Sequence, residues 1–334
     1  MKTFIIAEVS ANHGQSLDTA IRMIKKAREC GVDAVKFQCY TPDTVTIDSD
    51  NKYFRIKHAK WGGQTLYELY GKAYTPWKWF KKLKKAANDL GLVFFATAFD
   101  KTSVDFLEAV GVPFHKIASF ELVDLPLIEY AARTGKPLIM SVGMAAVQEI
   151  NEAVAAAKRS GAKDVTLLKC VSAYPADPLD MNLRTIVDMK KRFGCKVGLS
   201  DHTMGTGASI AAVTLGATVI EKHFILSRRM KTPDAFFSME PDELKDLVDN
   251  IRIIEKALGR VHYGLSEGEK TSRIFRRSLF AVRDIRAGEA LTEANIRSIR
   301  PANGLKPKYL KTILDKRAKR SIKRGTPLAR EMIS

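Results

Sequence analysis

The chain has 334 residues, of which 46% are hydrophobic and 28% charged, the composition of a globular protein with a sizeable core. That length exceeds what one core usually fills, and no run approaches the ~18 consecutive apolar residues of a membrane span, so two domains and no membrane attachment are expected. The formal net charge of +18 is uneven, since 17 basic and only 5 acidic residues lie from Arg273 onward.

In chain order, Phe4–Ser10 reads as a strand that runs into polar residues too soon for a signal peptide, so a cytoplasmic protein is expected. Ser16–Gly31 reads as a helix, with Ser16 as N-cap and Gly31 as stop. Ala34–Tyr40 is the second strand and, after an insertion, Trp77–Leu90 is helical. Leu92–Phe99 and Phe114–Phe120 are the third and fourth strands. Helix Leu125–Thr134 leads to strand Pro137–Gly143, and helix Val147–Ser160 to strand Asp164–Ser172. Lys196–Thr203 and Val219–Phe224 complete the strands, and Pro241–Leu258 is a closing amphipathic helix with proline just inside its start. The strands are near-continuous apolar runs, as in sheets covered on both faces. Eight such units over residues 1–260 predict a (β/α)8 barrel. An open doubly wound sheet would carry a glycine-rich phosphate loop after an early strand, and none is present.

Two segments break the alternation. Thr41–Thr75 is too long for an ordinary connection and carries Trp61, Tyr67, Tyr70 and Tyr74, so it is expected to shape a pocket. After Gly259 a polar linker, 261–277, leads to a small domain, 278–334, marked by turn signals at Asp284–Gly288 and Ile322–Thr326. So small a domain is expected to lean on the barrel or on a second subunit. Its basic charge first suggests nucleic acid, but it lacks interleaved aromatics or a zinc pattern, and a basic field also draws small anions. No nucleic-acid partner is expected. Cys30, Cys39, Cys170 and Cys195 show neither disulfide nor metal spacing and read as buried free thiols.

In such a barrel the active site lies at the C-terminal ends of the strands. Those positions are polar throughout: Glu8, Asn12 and His13; Lys36 and Gln38; Thr97; Lys116, Ser119 and Glu121; Ser141; Lys169, Ser172 and Tyr174; Ser200, Asp201 and His202; Glu221 and His223. Any one of them fits a structural role equally well, and it is their shared position that points to a site. His202 and His223 end adjacent strands, where two imidazoles serve either as ligands for a divalent metal or as structural groups. Lys36 and Lys116, with the serines, suit a substrate bearing phosphate and carboxylate.

Ala7-Glu8-Val9-Ser10-Ala11-Asn12-His13, Lys36-Phe37-Gln38, Lys116-Ile117-Ala118-Ser119, Ser200-Asp201-His202-Thr203 and Glu221-Lys222-His223-Phe224 resemble, in order, the motifs of the sialic acid synthase family. The tail, with Asp284-Ile285, Gly288-Glu289, Asn295-Ile296, Arg300-Pro301 and Arg324-Gly325, is similar to that family's antifreeze-like (SAF) domain. The resemblance implies a cytoplasmic transferase that joins phosphoenolpyruvate to an amino sugar. It implies a divalent metal (Mn²⁺, Mg²⁺ or Co²⁺) on His202 and His223, polarising the sugar aldehyde. Phosphoenolpyruvate would be held by Lys36, Thr97, Lys116, Ser119, Ser141, Ser172 and Ser200. Glu121 would move a proton, Glu8 would orient the lysines or the water, and His223 would serve catalysis as well as the metal. Gln38, Tyr174 and Asp234 would bind the sugar, joined by Arg300 from the partner subunit of a domain-swapped homodimer. Trp61, Leu66–Tyr70 and Ser119-Phe120-Glu121 are most similar to the branch of the family using 2,4-diacetamido-2,4,6-trideoxy-L-altrose; the neuraminate and legionaminate branches are alternatives. Ser172 stands where the neuraminate branch has asparagine. The rival enzyme class is a Schiff-base aldolase or pyruvate lyase, with Lys169 as its lysine.

Overall fold

The computed structural model describes residues 2–57 and 60–334. Eight parallel strands close into a barrel in sequence order, the last pairing back onto the first. They are β1 (Phe4–Glu8), β2 (Ala34–Cys39), β3 (Val93–Ala98), β4 (His115–Ile117), β5 (Leu138–Ser141), β6 (Val165–Cys170), β7 (Lys196–Asp201) and β8 (Val219–His223). The core between strands and helices is aromatic and aliphatic. Phe37, Phe80 and Phe94 are fully buried there, with the Phe94 ring centroid 5.6 Å from that of Phe37 and 6.0 Å from that of Phe80.

Local signals place the first helix, Leu17–Glu29, where expected: Ser16 accepts from Thr19 N, and Gly31 takes the left-handed conformation (φ +85°) that follows the helix end. The expected fourth strand is cut short. After Ile117 the chain turns into a 3₁₀ segment, Ser119–Glu121, which carries Ser119 and Phe120 over the barrel mouth instead of along the sheet. Outside the insertion, three helices of the barrel were not anticipated: Lys101–Val110, Thr185–Phe193 and Gly207–Thr214. The first has a clear signal in hindsight, Asp100 accepting from the backbone of Thr102 and Ser103. Gly207–Thr214 is small and apolar on every side, so it shows no helical stripe.

The insertion 41–75 includes His58 and Ala59, which lie outside the described residues. Its helix Leu66–Ala73 starts at a capping box of Thr65 and Glu68. Tyr40 against Tyr70, and the 3.1 Å contact of His13 Nε2 with Thr75 Oγ1, tie it to the barrel. Burial holds the His13 imidazole down at about 4, so it is a neutral structural group.

Residues up to Gly259 form one compact unit and Arg260–Ser334 a second. In the second, β9 (Ser278–Ala281) pairs antiparallel with β10 (Ile296–Ile299) over a core of Leu279, Ile285, Leu291, Ile296, Ile322 and Leu328. Among the described residues, no helix is long and apolar enough to cross a membrane.

Candidate active site

Alternation along each strand turns every second side chain into the barrel. At the C-terminal end these side chains line a small cavity, open at its mouth. Its floor is ionic. Lys36 Nζ lies 2.8 Å from Glu8 Oε2 and 3.5 Å from Glu221 Oε1, and Lys116 Nζ lies 4.0 Å from the same Glu221 oxygen. Hydroxyls complete the set: Lys36 donates to Thr97 Oγ1 (3.0 Å), Lys116 to Ser141 Oγ (2.8 Å), and Ser200 to Glu221 Oε1 (3.0 Å). Gln38 Nε2 bridges Glu8 Oε1 at 3.3 Å and Ser10 Oγ at 2.9 Å.

Four charged groups this deep are costly unless they neutralise one another. Burial pushes Glu8 up to about 7 against the pull of Lys36. Burial also acts to raise Glu221, but Lys116, Lys36 and the Ser200 hydrogen bond outweigh it and hold the carboxyl below its ordinary value. Burial lowers Lys116; for Lys36 the same burial is overcome by Glu221 and Glu8, and its pKa rises. The floor thus sets two lysines against two carboxylates, one of which burial pushes toward its neutral form, a field that favours an anionic ligand.

His202 and His223 stand above the floor with ring centroids 5.3 Å apart and planes at 67°. His202 Nδ1 donates to Val171 O at 2.8 Å, which leaves Nε2 as a free lone pair. His223 Nδ1 is buried without a hydrogen-bond partner, 3.9 Å from Asp234 Oδ2, and burial with the charge of His202 keeps it far below its ordinary range. A neutral imidazole and one with its proton fixed on the far nitrogen fit a divalent cation. Burial acts to lower His202, but Cys170, 3.8 Å away, pushes it up overall; Cys170 itself, raised by burial, is brought down to about 7 by that imidazole. A bound cation would reverse the push on His202. No third side chain completes a cluster among the described residues, so water or substrate oxygens would fill the remaining positions.

Glu8, Lys36, Gln38, Thr97, Lys116, Ser119, Ser141, Tyr174, Ser200, His202 and His223 all line this one cavity. Ser172 and Glu121 sit just behind the wall. Ser172 packs with Ser119 on Gly143, and Glu121 Oε2 is buried with no partner, its carboxyl raised by burial to about 7 against Lys116. Asp234 also lies behind the wall, held by the Ser10 hydroxyl beside His223. Arg300 is exposed, in the second unit. Lys169 does not line the cavity; it lies on the opposite strand face from Cys170, with Nζ on the Cys170 carbonyl at 3.2 Å. Glu221 and Cys170 line the site without having been assigned a role from sequence. Glu221 was in view, two residues before His223, whereas nothing local marks a thiol as inward-facing. Trp61 reaches over from the insertion to within 5.7 Å of the Tyr174 ring, and with Phe237, 4.8 Å from His223, makes one side of the mouth aromatic.

A closed parallel barrel whose strand ends converge on two buried lysines, two carboxylates and a histidine pair is the scaffold of an enzyme for small anionic substrates. The chain belongs to the NeuB family, whose model matches residues 23–263, and an SAF domain follows at residues 276–334. A pseudaminic acid synthase of Helicobacter pylori is 45% identical over 330 residues, covering 98% of this chain and 97% of its own. One of Campylobacter jejuni is 43% identical over 327 residues, covering 98% and 95%. An N,N'-diacetyllegionaminic acid synthase of C. jejuni is 38% identical over 326 residues, covering 96% and 97%. Among solved structures, the N-acetylneuraminic acid synthetase of Leptospira borgpetersenii, in complex with citrate, aligns with a TM-score of 0.72 at 34% identity, covering 81% of this chain and 90% of that one.

Proposed function

We propose that this enzyme makes pseudaminic acid, joining phosphoenolpyruvate to 2,4-diacetamido-2,4,6-trideoxy-L-altrose with uptake of water and release of phosphate. The observation that carries the chemistry is the floor of Lys36 and Lys116 beneath the paired histidines. The greater identity to the pseudaminic acid synthases than to the legionaminic enzyme supports the choice of sugar.

Phosphoenolpyruvate lies on the floor, its phosphate and carboxylate against Lys36, Lys116, Thr97, Ser119, Ser141 and Ser200, with Ser172 supporting Ser119 from behind. The sugar enters above, between Gln38 and Tyr174 and beside the aromatic side of the mouth, an apolar surface suited to acetamido methyl groups and a 6-deoxy carbon. Asp234, behind the wall beside His223, serves the sugar site through the Ser10 hydroxyl that Gln38 also holds. Carbon 3 of phosphoenolpyruvate bonds to the aldehyde carbon, whose oxygen takes a proton. Positive charge develops at carbon 2, water adds there, and the resulting tetrahedral centre loses phosphate by C–O cleavage. Glu121, behind the wall with its carboxyl raised by burial to about 7, is the proton-transfer residue and reaches the substrate through a water. Glu8 holds Lys36 and Gln38 in place. His202 and His223 hold a divalent cation, Mn²⁺, Mg²⁺ or Co²⁺, which when bound supplies Lewis-acid polarisation of the aldehyde.

The barrel, residues 1–260, is the catalytic domain; 261–277 is the linker and 278–334 the SAF domain. The enzyme works as a homodimer in the cytoplasm, with Arg300 of the SAF domain serving the sugar site of the partner subunit. The test is phosphate release from phosphoenolpyruvate with a panel of sugars. The trideoxy-altrose is expected to give the highest kcat/KM; a higher value with N-acetylmannosamine reassigns the enzyme to neuraminate synthesis. Borohydride trapping with pyruvate checks the aldolase alternative, and no label on Lys169 is expected.

A further inference from the structure

Asp201 and Lys222 each immediately precede one of the two histidines, and they are direct cross-strand partners in the β7–β8 register. Ser200 and Glu221 face the cavity, so alternation sends Asp201 and Lys222 to the opposite, helix-covered face of the sheet. There they form a 2.9 Å ion pair with side chains 0% and 2% exposed. Apolar side chains normally fill such a layer, and an ion pair adds little stability there because both charges must be stripped of water. This one is tied to the backbone beside the histidines. Asp201 Oδ1 accepts from Thr203 N (2.9 Å) and Thr203 Oγ1 (2.7 Å), and Oδ2 accepts from Ser209 Oγ (2.6 Å). Lys222 Nζ donates to Thr203 O. Thr203, the residue after His202, is therefore held at both its N–H and its carbonyl by groups from the two strands that present the histidines.

We propose that the Asp201–Lys222 pair is a positioning device that sets the spacing and orientation of His202 and His223, and through them the affinity for the divalent cation. This rests on the reading of those histidines as the metal ligands. Neither Asp201 nor Lys222 touches the reacting atoms. A purely structural ion pair would change unfolding stability and leave metal affinity of the folded protein alone.

The experiment is calorimetric titration of Mn²⁺ into the metal-stripped full-length protein, together with the visible spectrum of its Co²⁺ form. The proteins are wild type, the double variant Asp201→Asn/Lys222→Met, Lys222→Arg, and Lys222→Gln, which removes the ion pair and keeps a side-chain hydrogen-bond donor. Mn²⁺ affinity of the double variant is expected to fall roughly 10–100-fold, the usual effect of losing the groups that orient metal ligands, with a changed Co²⁺ spectrum. Lys222→Arg should recover most of the affinity, and KM for phosphoenolpyruvate at saturating metal should stay near wild type. A folded double variant that binds Mn²⁺ within about twofold of wild type, with the same Co²⁺ spectrum, overturns the proposal. Should circular dichroism show the double variant unfolded, Lys222→Gln decides: a loss of about threefold or more supports the proposal, and unchanged affinity overturns it. A wild-type protein that binds Mn²⁺ no better than His202→Ala/His223→Ala overturns the metal reading itself, and the proposal with it.

Discussion

Lys36 is the residue on which the floor of the cavity depends, because it faces both Glu8 and Glu221. Lys36→Met leaves two buried carboxylates sharing only Lys116, and it removes a cation from the proposed phosphoenolpyruvate site. A fall in kcat/KM of about 10³, roughly 4 kcal/mol of transition-state stabilisation, is expected in steady-state assays. Glu121 makes a different prediction, about pH. Its carboxyl titrates near 7 in the folded protein, against 4.5 ordinarily. Between those values the folded state holds the proton more tightly than the unfolded chain does. The stability this contributes is therefore full below about pH 4.5 and lost as pH rises through 7. Replacing Glu121 by glutamine removes that dependence. In urea unfolding from pH 5 to 8, wild type should lose on the order of 2–3 kcal/mol relative to Glu121→Gln. Equal slopes for the two proteins would place the carboxyl in water. Activity of Glu121→Gln should fall about 100-fold if it moves the proton.

At the scale of elements, the connections after β4, β5 and β6 meet on one glycine. A Cβ built on Gly143 would stand 2.4 Å from Ser172 Oγ and 2.8 Å from Ser119 Oγ. Gly143 N donates to Ser119 Oγ at 3.1 Å, so the same glycine also fixes the serine that lines the cavity. Gly143→Ala must push both hydroxyls aside. KM for phosphoenolpyruvate is expected to rise about 10-fold or more, at a cost in stability of about 1–3 kcal/mol, the range for overpacking. Initial rates and thermal unfolding measure the two effects separately, and an unchanged KM would show that the serines do not serve that substrate.

For the whole molecule, the SAF domain has its own small core of Leu279, Ile285, Leu291 and their neighbours, and it carries much of the chain's positive charge. Arg300 is exposed there, and a guanidinium can donate to an acetamido carbonyl. If Arg300 serves the partner's site, inactive Arg300→Ala and inactive His223→Ala should complement each other once their subunits exchange. Each mixed dimer then has one site with an intact histidine pair and an intact arginine. Up to about half of the wild-type rate per mixed dimer is expected, one working site of two. Inactive heterodimers, or full activity in Arg300→Ala alone, exclude the arrangement.

By itself the sequence determined the repeating strand–helix pattern, because covered parallel strands must be apolar and helix ends need caps such as Ser16. It also determined the polar character of the strand ends, which a packed core has no use for. Lys36, Lys116, His202 and His223 were legible from that mismatch alone. The short fourth strand, the small apolar helix Gly207–Thr214 and the inward thiol of Cys170 were not, since each depends on what packs against it rather than on local pattern. Only the tertiary structure decided which polar groups meet. It left Lys169 outside the cavity, made His13 a strut for the insertion, and set Asp201 against Lys222 behind the histidines. Closing the barrel brings β8 beside β1, so that Glu8 and Glu221, 213 positions apart in the chain, share Lys36. No spacing along the sequence encodes that meeting, because it follows from the barrel's closure and register.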